Sequence, residues 1–321
     1  MTSANVLITG ANGFVGSALV AHLARNGHRI RAAVRRTEHD PHPGVDTVNV
    51  GDMDGDTHWR PSLESIDIVV HCAARVHVLR ESAADPLLEF RRVNVAGTLN
   101  LARNAVAAKV RRFIYISSIG VNGAETFGKA FSAADLPRPH SPYAVSKHEA
   151  ELALQQLAQV TGLEVVIIRP PLIFGPNAPG NFNKLMQALD RGIPLPLGAI
   201  KNNRSLVSLD NLVDLITICL NHPNAARRTF LVSDGEDVST TDLLRRVAAA
   251  LGRPSRLIPV PAALLRGAAR ALGKAEFAQR LCGSLQVDIS PTRQLLDWAP
   301  VMSLNDALAA TARHYLAQAR R

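Results

Sequence analysis

The chain has 321 residues, 47% hydrophobic and 20% charged, a size and balance that suit one large or two joined globular domains. Its formal net charge of +9 is spread along a sequence with only 4% aromatic residues, which argues against nucleic-acid binding and for a pocket that takes an anionic substrate. No apolar run reaches membrane-spanning length, the first strand leaves no room for a signal peptide, and Cys72, Cys219 and Cys282 have neither metal-ligand nor disulfide spacing, so a cytoplasmic protein without membrane insertion or metal is expected.

Residues 6–8 are a continuous apolar run, the mark of a strand buried on both faces of a parallel sheet. Gly10, Gly13 and Gly16 follow at three-residue spacing, and residues 17–23 resume with helical apolar periodicity. Strand, glycine turn and helix in this order bring backbone N–H groups and a helix N-terminus to a pyrophosphate. Gly10, Asn12, Gly13, Phe14, Val15 and Gly16 are therefore expected to hold a dinucleotide. Residues 29–34 read as a second strand, whose end selects the cofactor. An acid there would bind the ribose hydroxyls of NAD, whereas arginine accommodates the 2′-phosphate of NADP. Arg35 and Arg36 follow Val34, with no acid until Glu38. Their guanidinium groups either fork onto a 2′-phosphate or solvate a loop. The first reading favours NADP(H), with NAD(H) possible.

A third strand over residues 46–50 is followed by Asp52 and Met53, where Asp52 either meets the adenine amino group or caps the turn. Residues 66–71 form a fourth, nearly all-apolar strand. Ala73 and Ala74 continue it with side chains small enough for close approach of the dinucleotide. Arg75 and His77 then leave toward the open edge where a substrate would lie, although His77 equally fits a loop histidine with a satisfied hydrogen bond. A helix over residues 86–108 contains Asn94, an unfavourable residue in a helix interior, so its side chain is expected to bond something specific, cofactor or fold. The fifth strand, 113–116, ends at Ser117 and Ser118, and ligands bind at such strand ends in doubly wound sheets.

After an aperiodic loop over 122–140, Ser141 and Pro142 start a helix that stops at Gly162. Tyr143 and Lys147 share one of its faces. The sixth strand, 165–169, runs into Pro170 and a proline-rich stretch. Beyond it lie helices over 182–190, 211–220 and 240–251, with short strands at 206–209 and 229–233, and residues 292–296 and 305–316 close the chain. Residues 262–281 read as one amphipathic stretch, a lid over a pocket rather than a membrane-surface helix. The fold class is therefore α/β: a doubly wound parallel sheet (Rossmann) over residues 1–170 with return segments near 205–235, and a smaller mixed α/β substrate region over 171–321.

Ser118, Tyr143 and Lys147 carry the chemistry. A phenol with an ordinary pKa of about 10 is a poor base at neutral pH, but a lysine ammonium one turn away and an oxidised nicotinamide both favour phenolate. Tyr143 then exchanges a proton with the oxygen of a carbon that gives or takes hydride, and the Ser118 hydroxyl holds that oxygen.

With Thr9-Gly10-Ala11-Asn12-Gly13-Phe14-Val15-Gly16, Tyr143-Ala144-Val145-Ser146-Lys147 and Ser118, the chain resembles the extended short-chain dehydrogenases/reductases that act on nucleotide sugars. The resemblance implies a UDP-sugar-type substrate, with Asn181 and Phe182 on the base side and Arg204 and Arg280 at the diphosphate. It places Asn94 and Pro170 with Tyr143 and Lys147 at the cofactor. It also implies a homodimer joined through the helices that hold Asn94 and Tyr143. Two departures separate the chain from the family's 4-epimerases. Arg35 and Arg36 replace the acid, and Leu172 falls where such epimerases use an asparagine. Residues 74–78 and 231–236 look similar to reductases of UDP-4-keto-6-deoxy-N-acetylhexosamine, which serve surface-polysaccharide synthesis. The expectation is NADPH-dependent C4-ketone reduction, with a UDP-hexose 4-epimerase using bound NAD as the alternative and a dinucleotide sensor without turnover as the reading from another class.

Overall fold

The computed structural model describes residues 4–36, 44–76 and 85–319. Strands β1 (Asn5–Thr9), β2 (Arg29–Val34), β3 (Asp46–Asn49), β4 (Ile68–His71), β5 (Arg112–Ile116), β6 (Glu164–Arg169) and β9 (Arg228–Leu231) form one sheet in the order β3-β2-β1-β4-β5-β6-β9, with every pair parallel. The order reverses between β1 and β4, the point at which a doubly wound sheet opens a crevice at its C-terminal edge. The apolar central strands are buried because helices cover both faces. Residues from α1 (Phe14–Arg25) and α6 (Leu209–Asn221) pack on one side, and residues from α3 (Thr98–Ala107) and α4 (Pro142–Thr161) on the other.

A second, three-stranded sheet joins β7 (Leu172–Phe174), β8 (Arg204–Ser208) and β10 (Asp237–Val238), with β8 parallel to β7 and antiparallel to β10. Helices α5 (Asn181–Asp190), α7 (Thr240–Ala250) and α11 (Leu304–Ala319) close a separate apolar cluster over it, while α10 (Ser290–Leu296) lies beside β9. Thus β9 and α6, from beyond residue 171, return to the large sheet and its covering layer.

Three local features differ from the expected elements. The single helix over 86–108 is α2 (Pro86–Arg91), a π-turn over Arg92–Gly97, and α3. The wide turn is a recurrent feature of functional sites and here centres on Asn94. The stretch over 262–281 is two helices, α8 (Ala262–Ala271) and α9 (Ala275–Cys282), separated at Gly273 with φ +66°, a conformation that glycine adopts without steric cost. No residue of α8 is buried. The proline-rich run after β6 contains β7, an edge strand of the small sheet, where prolines at the approach remove no ladder bond. Among the described residues, no helix is long and apolar enough to cross a membrane.

Candidate active site

The turn after β1 is built by glycine for steric reasons. Gly10 has φ +64°, and a Cβ there would stand 2.9 Å from the backbone of Ala73. A Cβ on Gly16 would stand 2.1 Å from the Gly10 carbonyl oxygen, so glycine here lets α1 pack against the turn. The Gly13 N–H donates to the Gly10 carbonyl at 2.8 Å, and α1 begins at Phe14 with its N-terminus at this loop. Beside the turn lies a cleft of about 700 Å³, lined by Gly10, Asn12, Gly13, Ala73, Ala74 and Arg75 at one end and by Arg35, Arg36, Asp52 and Met53 at the other. Glycine backbone, a helix N-terminus and a basic end fit a dinucleotide with its pyrophosphate at the turn.

At the basic end, Arg35 Nε lies 3.3 Å from Asp52 Oδ1, both side chains remaining well exposed. The acid after β3 is thus paired with the arginine after β2. On the far side of the cleft, Asn94 is buried and its amide is fully engaged. Its Oδ1 accepts from the Arg75 N–H at 2.8 Å, and its Nδ2 donates to the Arg75 carbonyl and to Ser146 Oγ, each at 3.0 Å. Asn94 therefore ties the strand-end segment to α4, which explains an asparagine in a helix interior. The Arg75 guanidinium stacks 5.8 Å from the centre of the Phe90 ring, and Phe90 meets Tyr143 edge-on at 6.0 Å.

Helix α4 starts as its sequence dictates. Ser141 Oγ accepts from the Ala144 N–H, Pro142 occupies the first turn, and Gly162 ends the helix with φ +79°. Lys147 is buried, and its Nζ donates to the Ile116 carbonyl at 2.7 Å, 4.4 Å from the centre of the Tyr115 ring and 6.0 Å from that of Tyr143. Burial holds Lys147 down to about 7, against the opposing pull of Glu151 and Cys72. Burial also pushes the Tyr143 phenol up to about 12, the reverse of the expected effect of Lys147. The ammonium itself is engaged with the end of β5 and stacked on Tyr115. Burial thus favours the neutral phenol of Tyr143. Ser118 Oγ accepts from the Gly120 N–H at 3.1 Å, leaving its own hydrogen available, and the Ile119 N–H donates to the Pro170 carbonyl at 3.0 Å.

The Arg204 side chain is brought to the backbone of Arg280. Arg204 Nη1 donates to the carbonyls of Arg280 and Gly283 at 2.8 and 3.1 Å, and burial lowers the Arg204 pKa. Phe182 is not a lining residue but core, 4% exposed and 5.5 Å from Phe174 between ring centres. His77 and the Asn181 side chain lie outside the described residues. Arg266 and Arg270 of α8 line a further cleft of about 720 Å³ with Lys201, Asn202 and Ser284. Sequence patterning missed these cations because the cleft joins α8 to residues from distant segments of the chain. It missed Glu151 and Arg169 as well, a buried ion pair at 2.5 Å that closes on Ser117.

Residues 6–233 match the family described as "NAD dependent epimerase/dehydratase family". The chain is 44% identical over 315 residues to the UDP-glucose 4-epimerase of Vibrio cholerae, covering 97% of this chain and 95% of that one. It superposes on MoeE5 in complex with UDP-glucuronic acid and NAD with a TM-score of 0.79 and 25% identity, covering 98% and 99% of the two chains. A Thermotoga maritima UDP-glucose 4-epimerase with UDP-glucose gives the same TM-score at 20% identity over 98% and 99%, a likeness of fold.

Proposed function

Because the chain belongs to the NAD dependent epimerase/dehydratase family, we propose that it works at C4 of a UDP-hexose, and that its net reaction is NADPH-dependent reduction of a 4-ketone, as in a 6-deoxy-N-acetylhexosamine. The observation that carries the NADPH reading is the basic end of the cleft. Arg35 and Arg36 stand where an acid would bind ribose hydroxyls, and the nearby carboxylate, Asp52, is already paired with Arg35. Leu172, 44% exposed on β7, supports the same direction, since it offers no amide at the position where the resemblance expects one in epimerases.

The nicotinamide cofactor, when bound, supplies the hydride. The chain supplies the rest. Ser118 donates a hydrogen bond to the ketone oxygen and fixes its orientation. Tyr143, neutral at physiological pH, hands its phenolic proton to that oxygen as C4 becomes a secondary alcohol. Lys147, with a pKa near neutrality, stabilises the phenolate left behind and assists its reprotonation. Arg204 and Arg280 mark the diphosphate side. The exposed Leu88 of α2 and Leu152 of α4 suit the four-helix pairing of a homodimer, and a cytoplasmic setting belongs to the same reading.

A second reading, UDP-glucose 4-epimerisation with a recycled NAD, is favoured by the 44% identity to the Vibrio cholerae protein of that name. Both use the same three residues and differ in net redox change. The test is to supply a UDP-4-keto-6-deoxy-N-acetylhexosamine with NADPH or NADH, and UDP-glucose with NAD. Stoichiometric NADPH oxidation supports the reductase. Conversion of UDP-glucose to its C4 epimer without net cofactor change selects the epimerase.

A further inference from the structure

Helix α4 carries a third side chain in line with Tyr143 and Lys147. Glu151 lies one turn beyond Lys147 on the same face and is 1% exposed. Its Oε1 accepts from Ser117 Oγ at 2.5 Å and from Arg169 Nε at 2.9 Å, and its Oε2 accepts from Arg169 Nη2 at 2.5 Å. Ser117 sits between Ile116, whose carbonyl takes the Lys147 ammonium, and Ser118. Arg169, at the end of β6, extends the chain of bonds through Nη1 to Asn122 Oδ1 at 3.0 Å, just past Ser118. Buried ion pairs add little stability compared with well-packed apolar residues of similar volume, so stability alone is a weak reason for this one. Fixed geometry is a stronger reason.

We infer that Glu151 is a positioning residue for the C4 chemistry: it clamps the ends of β5 and β6 to α4 and so sets where Ser118 and the Lys147 ammonium stand relative to Tyr143. The inference rests on the roles proposed above for those three residues. It also has an electrostatic side. Lys147 Nζ is faced by Tyr143 and Glu151 from α4, by the Tyr115 ring from β5, and by His71 of β4 and Cys72 just beyond it. Of these, the Glu151 carboxylate favours the ammonium, while it is itself paired with Arg169 from β6. Converting Glu151 to an amide leaves Arg169 as an unmatched buried cation and removes the charge that opposes Lys147 deprotonation.

The experiment measures kcat, KM and the cofactor Kd across pH for wild type, Glu151→Gln, Ser117→Ala, Lys147→Met and Tyr143→Phe, with NADPH and the 4-keto sugar or with NAD and UDP-glucose, whichever turns over. Glu151→Gln should lower kcat about tenfold or more with little change in KM, as expected for displaced catalytic groups. The limb on which kcat/KM falls with rising pH should move to lower pH. Ser117→Ala, which keeps the ion pair, should lower kcat less and leave that limb in place. A folded Glu151→Gln enzyme with wild-type kcat and pH limb overturns the inference, as does one whose only defect is a lower melting temperature. Should Glu151→Gln fail to fold, Ser117→Ala decides, with reduced kcat supporting the clamp and unchanged kcat overturning it. Full activity in Lys147→Met and Tyr143→Phe would instead bring down the catalytic reading itself.

Discussion

Tyr143 and Lys147 lie on one face of α4, yet burial drives them in opposite directions, the phenol up to about 12 and the ammonium down to about 7. A neutral phenol suits delivery of a proton to a ketone, and a lysine poised near neutrality suits its return. Tyr143→Phe should therefore lower kcat by about 10²- to 10⁴-fold, the range of general acid catalysis, with cofactor Kd nearly unchanged; steady-state rates paired with fluorescence titration check it. At the other end of the cleft, Arg35→Asp removes a cation and leaves Asp52 unpaired. The ratio of NADPH to NADH affinity should fall by about tenfold or more, since hydrogen bonds to charged groups contribute roughly 1.5–3 kcal/mol. An unchanged ratio would make Arg35 a solvated loop residue. The spacing of Tyr143 and Lys147 was legible in the sequence, but their protonation was not, because it depends on burial by the rest of the fold.

At the scale of elements, the turn between β1 and α1 leaves little room for substitution. In Gly16→Ala, the new methyl would stand 2.1 Å from the Gly10 carbonyl, so turn and helix must move apart. Overpacking of this kind costs typically about 1–3 kcal/mol, and cofactor affinity should fall with it; thermal melts with and without NADPH separate the two effects. This turn was fully legible in the sequence, as was α4, since glycine geometry and a Ser-Pro start act locally. The π-turn over Arg92–Gly97 was not, because its cause is the engagement of Asn94 with Arg75 and Ser146 across the fold. Neither was the break at Gly273, which amphipathic periodicity passes over, nor the ion pair of Glu151 with Arg169, which joins α4 to β6.

Across the whole molecule, the switch-point crevice is underlain by His71, buried at the end of β4. Its ring nitrogens lie 2.6 Å from Thr9 Oγ1 and 3.0 Å from Thr98 Oγ1. Burial, aided by Lys147, lowers its pKa from 6.5 to about 3. The unfolded chain takes up this proton below pH 6.5, whereas the folded chain resists until about pH 3. The associated stability is therefore complete above pH 6.5 and drains away as pH falls through that window. His71→Asn keeps a polar partner for Thr9 and removes the titration, so its urea-unfolding free energy should vary less than that of wild type between pH 6.5 and 3. Equal slopes would show that other groups govern acid sensitivity.

The reaction proposed for this active site is a net, NADPH-consuming reduction at C4 of a UDP-hexose. The most direct measurement follows NADPH absorbance while purified protein is mixed with a known amount of UDP-4-keto-6-deoxy-N-acetylhexosamine. One NADPH should be oxidised per sugar reduced, with NADH much less effective. A protein that carries NAD through purification, leaves NADPH untouched and interconverts UDP-glucose with its C4 epimer would contradict it.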